Sequence, residues 1–151
     1  MIIEKAVIGD AEEILSLQKL AYRSEAEIYD DFTIPPLRQT PEEIKKDFEG
    51  QMFLKAVENE RIVGSVRAFV KERTCYVGRL IVHPDFQNHG IGKELMGRVE
   101  EAFKGASRFE IFTGHRSERN LYLYEKLGYR RFKTVTANEK LVIVFLEKNQ
   151  T

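Results

Sequence analysis

The chain has 151 residues, with 24 Lys and Arg against 24 Asp and Glu, and one cysteine. Zero formal net charge argues against a general nucleic-acid binder, whose footprint is a strongly basic domain, and a lone cysteine rules out an intrachain disulfide. The balance hides a division, since residues 1–60 carry 14 acids and 7 bases while residues 61–151 carry 10 acids and 17 bases.

With 42% hydrophobic and 32% charged residues, the composition suits one globular domain over 1–151. The longest apolar run, Leu141–Leu146, is too short to cross a bilayer. Glu4 interrupts the N-terminus before any signal-like stretch, so a cytoplasmic protein without a membrane partner is expected.

Ile2, Ile3, Val7 and Ile8 predict a first strand, broken by Gly9-Asp10. Asp10 and Glu13 read as a helix start, and Ile14, Leu17, Leu20 and Ala21 follow at helical spacing to about Glu27. Tyr29 to Gln39, with Pro35-Pro36, reads as an ordered loop. Thr40-Pro41-Glu42-Glu43 is a second capping box, opening a helix that Gly50 ends. From Met52 the period becomes two, and strands 52–58, 61–71 and 74–82 form an antiparallel meander. Ile91, Leu95, Val99, Ala102 and Phe103 form a helical stripe. Strand 109–113, helix 117–127 and a hairpin of 132–136 with 141–146 complete a mixed α/β (α+β) domain, a mostly antiparallel central sheet of about seven strands flanked by four helices.

Gln87-Asn88-His89-Gly90-Ile91-Gly92-Lys93 joins a strand to a helix start, where glycine backbone and free N–H groups favour an anion such as a phosphate. A P-loop would need glycine at Gln87 and Ser or Thr at Glu94, and a dinucleotide fingerprint would need Gly or Ala at Leu95. Alone, the Gly-x-Gly also fits a bare strand-to-helix turn.

The longer run from Gly78 to Met96 resembles the acyl-CoA signature of the GNAT superfamily of N-acetyltransferases, Gln/Arg-x-x-Gly-x-Gly/Ala after a strand ending Val-x-Pro. Ser117 to Tyr129 resembles that family's Asn-x-x-Ala-x-x-x-Tyr-x-x-x-Gly-Phe helix. Together the two elements imply the acyl-CoA N-acyltransferase fold and acetyl-CoA as co-substrate. By this resemblance Gln87, Asn88, His89, Gly90, Ile91, Gly92 and Lys93 surround the pyrophosphate, and the main chain of Leu80, Ile81 and Val82 pairs with pantetheine. The family's Asn is Ser117 here and its Ala is Asn120. Either one is the candidate pantetheine contact, and Ser117 is also a candidate helix cap.

The resemblance makes Tyr124 the proton donor to the departing thiolate, although Leu121, Tyr124 and Leu127 also share a core-like helical face. A backbone N–H near Leu80 or Val82 is the candidate for polarising the thioester carbonyl. For the base, some members use a glutamate where Phe112 stands; Glu110 lies two residues earlier on the same strand face, and Glu72, His115 or a water chain are further candidates.

His83, Asp85, His89 and His115 match no metal-ligand spacing, so no metal is expected. Cys75 has no partner marking it as a nucleophile and reads as a small buried residue. On the acceptor side, Tyr22 to Leu37 interleaves Tyr22, Tyr29 and Phe32 with four acids. Tyr22, Glu25, Tyr29 and Phe32 are the candidates for holding a primary amine on an apolar or aromatic body. The alternative to an N-acetyltransferase is a non-catalytic acyl-CoA-binding sensor. The final hairpin is a candidate homodimer surface.

Overall fold

Phe53 and Leu54, like Ile62 and Val63, are neighbours in sequence yet buried in two different apolar clusters, so the central strands are covered on both faces. The computed structural model describes residues 1–150. Its strands are β1 (Ile2–Lys5), β2 (Met52–Glu58), β3 (Arg61–Lys71), β4 (Thr74–Val82), β5 (Arg108–Gly114), β6 (Arg130–Thr136) and β7 (Val142–Asn149). Its helices are α1 (Ala11–Tyr29), α2 (Pro35–Arg38), α3 (Pro41–Gly50), α4 (Ile91–Ala102) and α5 (Glu118–Lys126).

The sheet runs β1-β2-β3-β4-β5-β7-β6, antiparallel except where β4 meets β5. Ile14, Leu17 and Ile44 bring α1 and α3 onto one face against Phe53 and Ile81. Leu95, Met96, Val99 and Leu121 bring α4 and α5 onto the other, against Val63, Val77 and Phe109. Among the described residues no helix is long and apolar enough to cross a membrane. β6 is exposed along its whole length at the sheet edge.

Three local expectations are corrected. The first strand stops at Lys5, and Ile8–Asp10 is a turn of 3-10 helix. Pro35–Arg38 within the expected loop winds one helical turn, so the described residues form five α-helices rather than four. Asp10 and Glu13 form no capping box: Asp10 Oδ2 accepts from Val7 N–H and Lys55 Nζ, both at 2.9 Å, and Glu13 Oε2 accepts from Ile62 N–H at 2.8 Å. The Thr40–Glu43 box does form, with Thr40 N–H donating to Glu43 Oε1 at 2.9 Å and Glu43 N–H to Thr40 Oγ1 at 3.2 Å.

Candidate functional site

β4 and β5 pair only at Thr74–Tyr76 and Arg108–Glu110. Beyond that point β5 follows β7 while β4 keeps only β3, so the sheet splits and the edge of β4 from Val77 onward faces a cleft. The β3–β4 pairing is irregular at the same end. Ser65 pairs with Ile81 but Arg67 with Gly78, leaving Arg79, at φ 47°, as the extra residue. The cleft opens into a cavity of about 680 Å³ between the end of α1, the end of β4, the Gln87–Lys93 loop and the start of α5.

The glycine loop forms one end. Asn88 (φ 66°) and Gly90 (φ 78°) take left-handed conformations, and Gly90 is the N-cap of α4 with no side chain capping it. The first amide bonded within the helix is that of Glu94, to Gly90 O at 3.0 Å, so the N–H groups of Ile91, Gly92 and Lys93 precede the hydrogen-bonded ladder. A Cβ on Gly92 would stand 3.2 Å from Leu123 and 3.6 Å from Leu80, so glycine keeps this corner open between α4, α5 and β4. Arg119 on α5 reaches back to hydrogen-bond Gln87.

Leu80, Ile81, Val82, Gln87, Asn88, Gly90, Ile91, Gly92, Lys93, Ser117 and Asn120 all line the cavity. His89 does not; it is exposed, edge-on to Phe86. Ser117 does not cap α5 with its side chain, contrary to expectation. Its Oγ–H donates to Glu25 Oε2 at 2.5 Å, so the 2.8 Å contact with Tyr29 must have the phenol as donor. Tyr29 Oη in turn accepts the Arg116 N–H at 2.9 Å. Asn120 Nδ2 donates to Thr113 Oγ1 at 3.2 Å.

Tyr124, one helical turn beyond Asn120, is 3% exposed and has no side-chain hydrogen-bond partner among the described residues. No described side-chain N or O is both fully buried and unpartnered, so this hydroxyl keeps a little accessible surface, although Tyr124 is not among the residues that line the cavity. Burial, with Tyr22 and Glu25 close by on α1, pushes its ionisation well above the ordinary tyrosine value. Tyr22 also lines the cavity, and burial raises it to about 12 although Arg79 opposes the shift.

The remaining candidates scatter. Glu110 sits at the start of β5 beside Tyr76, and Arg108 holds it at 3.0 Å while also holding Glu147 at 3.0 Å. It does not line the cavity. Glu72 is in the β3–β4 turn, and His115 Nδ1 accepts from Val142 N–H at 3.0 Å. Tyr29 is buried as a tie between α1 and the start of α5, while Phe32 is 56% exposed and lines a separate groove with Lys19 and Leu37. Of the four acceptor candidates, only Tyr22 and Glu25 meet in the cavity. Cys75 is buried, its thiol pushed up to about 12 by burial and then by Glu100.

A buried polar ladder under this wall was missed. Arg67 donates to Asp47 Oδ2 and Gln18 Oε1, both at 2.7 Å, and lies 4.4 Å over the Phe53 ring. Gln39 accepts from Arg79 at 2.7 Å and donates to Asp47 at 2.6 Å. Burial, with Arg79 nearby, lowers Arg67 to about 10. The available signal was a charged residue in an otherwise uncharged strand segment, Ile62 to Ala68.

The sequence pattern of the Acetyltransferase (GNAT) family matches residues 12–129, which includes every cavity-lining residue. The chain belongs to the GNAT acetyltransferase family. Relatives of this GNAT chain include UPF0157 protein YqkA of Bacillus subtilis, 29% identical over 133 residues, covering 88% of this chain and 38% of that protein. Acetyltransferase ECA0875 of Pectobacterium atrosepticum is 29% identical over 102 residues, 66% of this chain and 72% of that one. The chain thus spans well under half of the first relative and nearly three quarters of the second.

Solved structures confirm the fold. The ribosomal-protein-S18-alanine N-acetyltransferase from Escherichia coli superposes with TM-score 0.77 at 14% identity, covering 98% of this chain and 92% of that one. The PaiA N-acetyltransferase from Thermoplasma acidophilum, in complex with coenzyme A, gives TM-score 0.71 at 19% identity, covering 99% and 100%.

Proposed function

We propose that this chain transfers an acetyl group from acetyl-CoA to a primary amine, small-molecule or peptidyl, by direct attack and without a covalent enzyme intermediate. The observation that carries this reading is the split between β4 and β5, which ends at the uncapped start of α4, together with the largely buried Tyr124, whose hydroxyl has no hydrogen-bond partner among the described residues.

The residues present fit such a co-substrate. The amides of Ile91, Gly92 and Lys93, with Gln87, Asn88 and Arg119, suit a pyrophosphate, because dipole, N–H groups and cation all favour negative charge there. The unpaired β4 edge at Leu80–Val82 suits an amide-bearing arm, with Ser117 and Asn120 across the cleft. Acetyl-CoA, when bound, supplies a thioester whose carbonyl carbon accepts nitrogen and whose sulfur departs as a thiolate.

Tyr124 stays protonated in this environment, since burial disfavours its phenolate. The same desolvation destabilises a thiolate released beside it, so proton transfer from phenol to sulfur remains favourable. On the acceptor side, Tyr22 offers an aromatic wall and Glu25 a carboxylate, a combination suited to a cationic amine on an apolar body.

The test is release of free CoA thiol with a panel of 2-phenylethylamine, 1,4-diaminobutane and an alanine-first tetrapeptide. Tyr124→Phe should lower kcat by about 10²–10⁴-fold while leaving acetyl-CoA affinity in place. Tight acetyl-CoA binding with no thiol release from any amine would instead make the chain a CoA-binding sensor. Unchanged turnover in Tyr124→Phe would remove the phenol from the acid role.

A further inference from the structure

The proposed reaction has a proton donor in Tyr124 but, with Glu110 tied to Arg108 outside the cavity, needs a different base. Three carboxylates line it: Glu25, Glu27 and Glu118. Glu27 and Glu118 are exposed, whereas Glu25 is half-buried.

We propose that Glu25 is the general base that takes the proton of the attacking amine. The proposal rests on the acetyl-transfer reading above and adds a residue to it.

Three observations converge on this carboxylate. Its Oε2 is fixed by the Ser117 hydroxyl, which Tyr29 and the Arg116 amide hold in turn, so a chain of hydrogen bonds directs the group without consuming its charge. Its Oε1 has no partner among the described residues. No ion pair to it forms among the described residues: Arg116 is spent on Ile28 O at 3.0 Å and Arg119 on Gln87, and Arg23 and Lys93, which share the cavity lining, make no salt bridge to it.

Tyr22, Arg23, Glu27, Lys93, Glu118 and Arg119 line the cavity with Glu25, and the Glu25 charge contributes to raising both Tyr22 and Tyr124, so base and acid lie within electrostatic reach of each other. A half-buried carboxylate with a free oxygen, beside a neutral phenol, is the arrangement in which acid and base remain distinct.

The step balances with these two side chains. As the amine nitrogen bonds to the acetyl carbon, its proton passes to the free Glu25 oxygen. The carbon–sulfur bond breaks and the Tyr124 proton goes to the departing sulfur. The Glu25 proton then returns to Tyr124 through cavity water, leaving amide and thiol as products.

The experiment compares wild type, Glu25→Gln and Ser117→Ala. A glutamine still accepts the Ser117 hydrogen bond, so it removes the base while keeping the tie. In wild type, kcat/KM on the acid side should rise with a limb for the neutral amine plus a second limb for the carboxylate. Glu25→Gln should lose that second limb and fall about 10²–10⁴-fold. Ser117→Ala should keep it at reduced rate.

Independently of turnover, ¹³C-carboxyl glutamate labelling should show one resonance, absent in Glu25→Gln, that shifts when 2-phenylethylamine is added without acetyl-CoA. Retention of both limbs in Glu25→Gln, or a silent Glu25 resonance, would overturn the base assignment alone. Absence of thiol release in wild type with every amine would overturn the acetyl-transfer reading and this proposal with it.

Discussion

Gly114 closes β5 directly beneath the Tyr29 ring, and replacing it by alanine tests the tie that orients Glu25. A Cβ there would overlap Tyr29 Oη and stand 2.5 Å from its Cζ and 3.0 Å from Leu141 Cδ1. Carbon contacts are comfortable near about 3.5 Å, so the ring must retreat by about 1 Å.

Hydrogen bonds of 2.8 Å to Ser117 and 2.9 Å from Arg116 would then stretch past their useful range. Two strained or lost bonds at about 1 kcal/mol each, plus about 1–3 kcal/mol for overpacking, oppose a gain of about 0.4–1 kcal/mol from a less flexible unfolded chain. The net loss is about 2–5 kcal/mol, read as a lower midpoint in urea at unchanged slope.

Tyr29→Phe removes the hydroxyl and both bonds, so Gly114→Ala should cost less in that background by about 2 kcal/mol. Stability of Gly114→Ala within about 0.5 kcal/mol of wild type would refute the packing argument. So would full additivity in the double mutant.

Gly92→Glu should weaken acetyl-CoA binding about a hundredfold or more, about 3 kcal/mol, because a carboxylate would enter the corner beside Leu123 and repel the diphosphate; isothermal titration would show it, and full affinity would contradict the loop assignment. Burial alone would raise Asp10, but the Val7 amide and Lys55 outweigh it and hold its pKa below 3.8. The unfolded chain therefore binds this proton more readily, so the contribution is full above 3.8, falls away as pH drops through the lower folded value, and denaturation from pH 7 downward should show a shallower acid loss in Asp10→Asn. A tenfold rise in ionic strength, which shortens the Debye length about threefold, should weaken acetyl-CoA binding only a few-fold, since Lys93 and Arg119 share the cavity edge with Glu118; a loss of several orders would require a denser basic surface.

What was legible in the sequence depended on how far its causes reach along the chain. The Thr40–Glu43 box forms because donors and acceptors lie within three residues. The same letters at Asp10 and Glu13 fail because Lys55 and the Ile62 amide, 45 and 49 residues away, offer better partners. The helical stripe of α4 was readable from periodicity because it buries one face, and the meander from its polar turns at Asn59-Glu60 and Glu72-Arg73, since β3 is buried on both faces. The one-turn α2 was not, because Pro35-Pro36 signals a turn and a helix start equally well.

The site divides along the same line. The glycine loop is contiguous, and its backbone geometry follows from Gly90 and Gly92. Glu25, Ser117 and Tyr29 meet across 88 to 92 residues, and no local pattern marks Ser117 as a hydroxyl turned away from its helix. Glu110 misled because strand alternation gives its face but not its end of the strand: it shares that face with Phe112, but Arg108 claims it at the paired end of β5.

The opposed charges of the two halves survive only faintly at the cavity, where the α1 side presents Arg23, Glu25 and Glu27 and the loop and α5 side present Lys93, Glu118 and Arg119. Some of the difference is consumed where the halves cross, as Asp47 meets Arg67 and Asp30 meets Lys140. A single excess charge on each bank lets local geometry, more than overall field, decide which group acts. On the proposed mechanism that places weight on how Glu25 is held, and the holding is done by Ser117, Tyr29 and the bare backbone of Gly114.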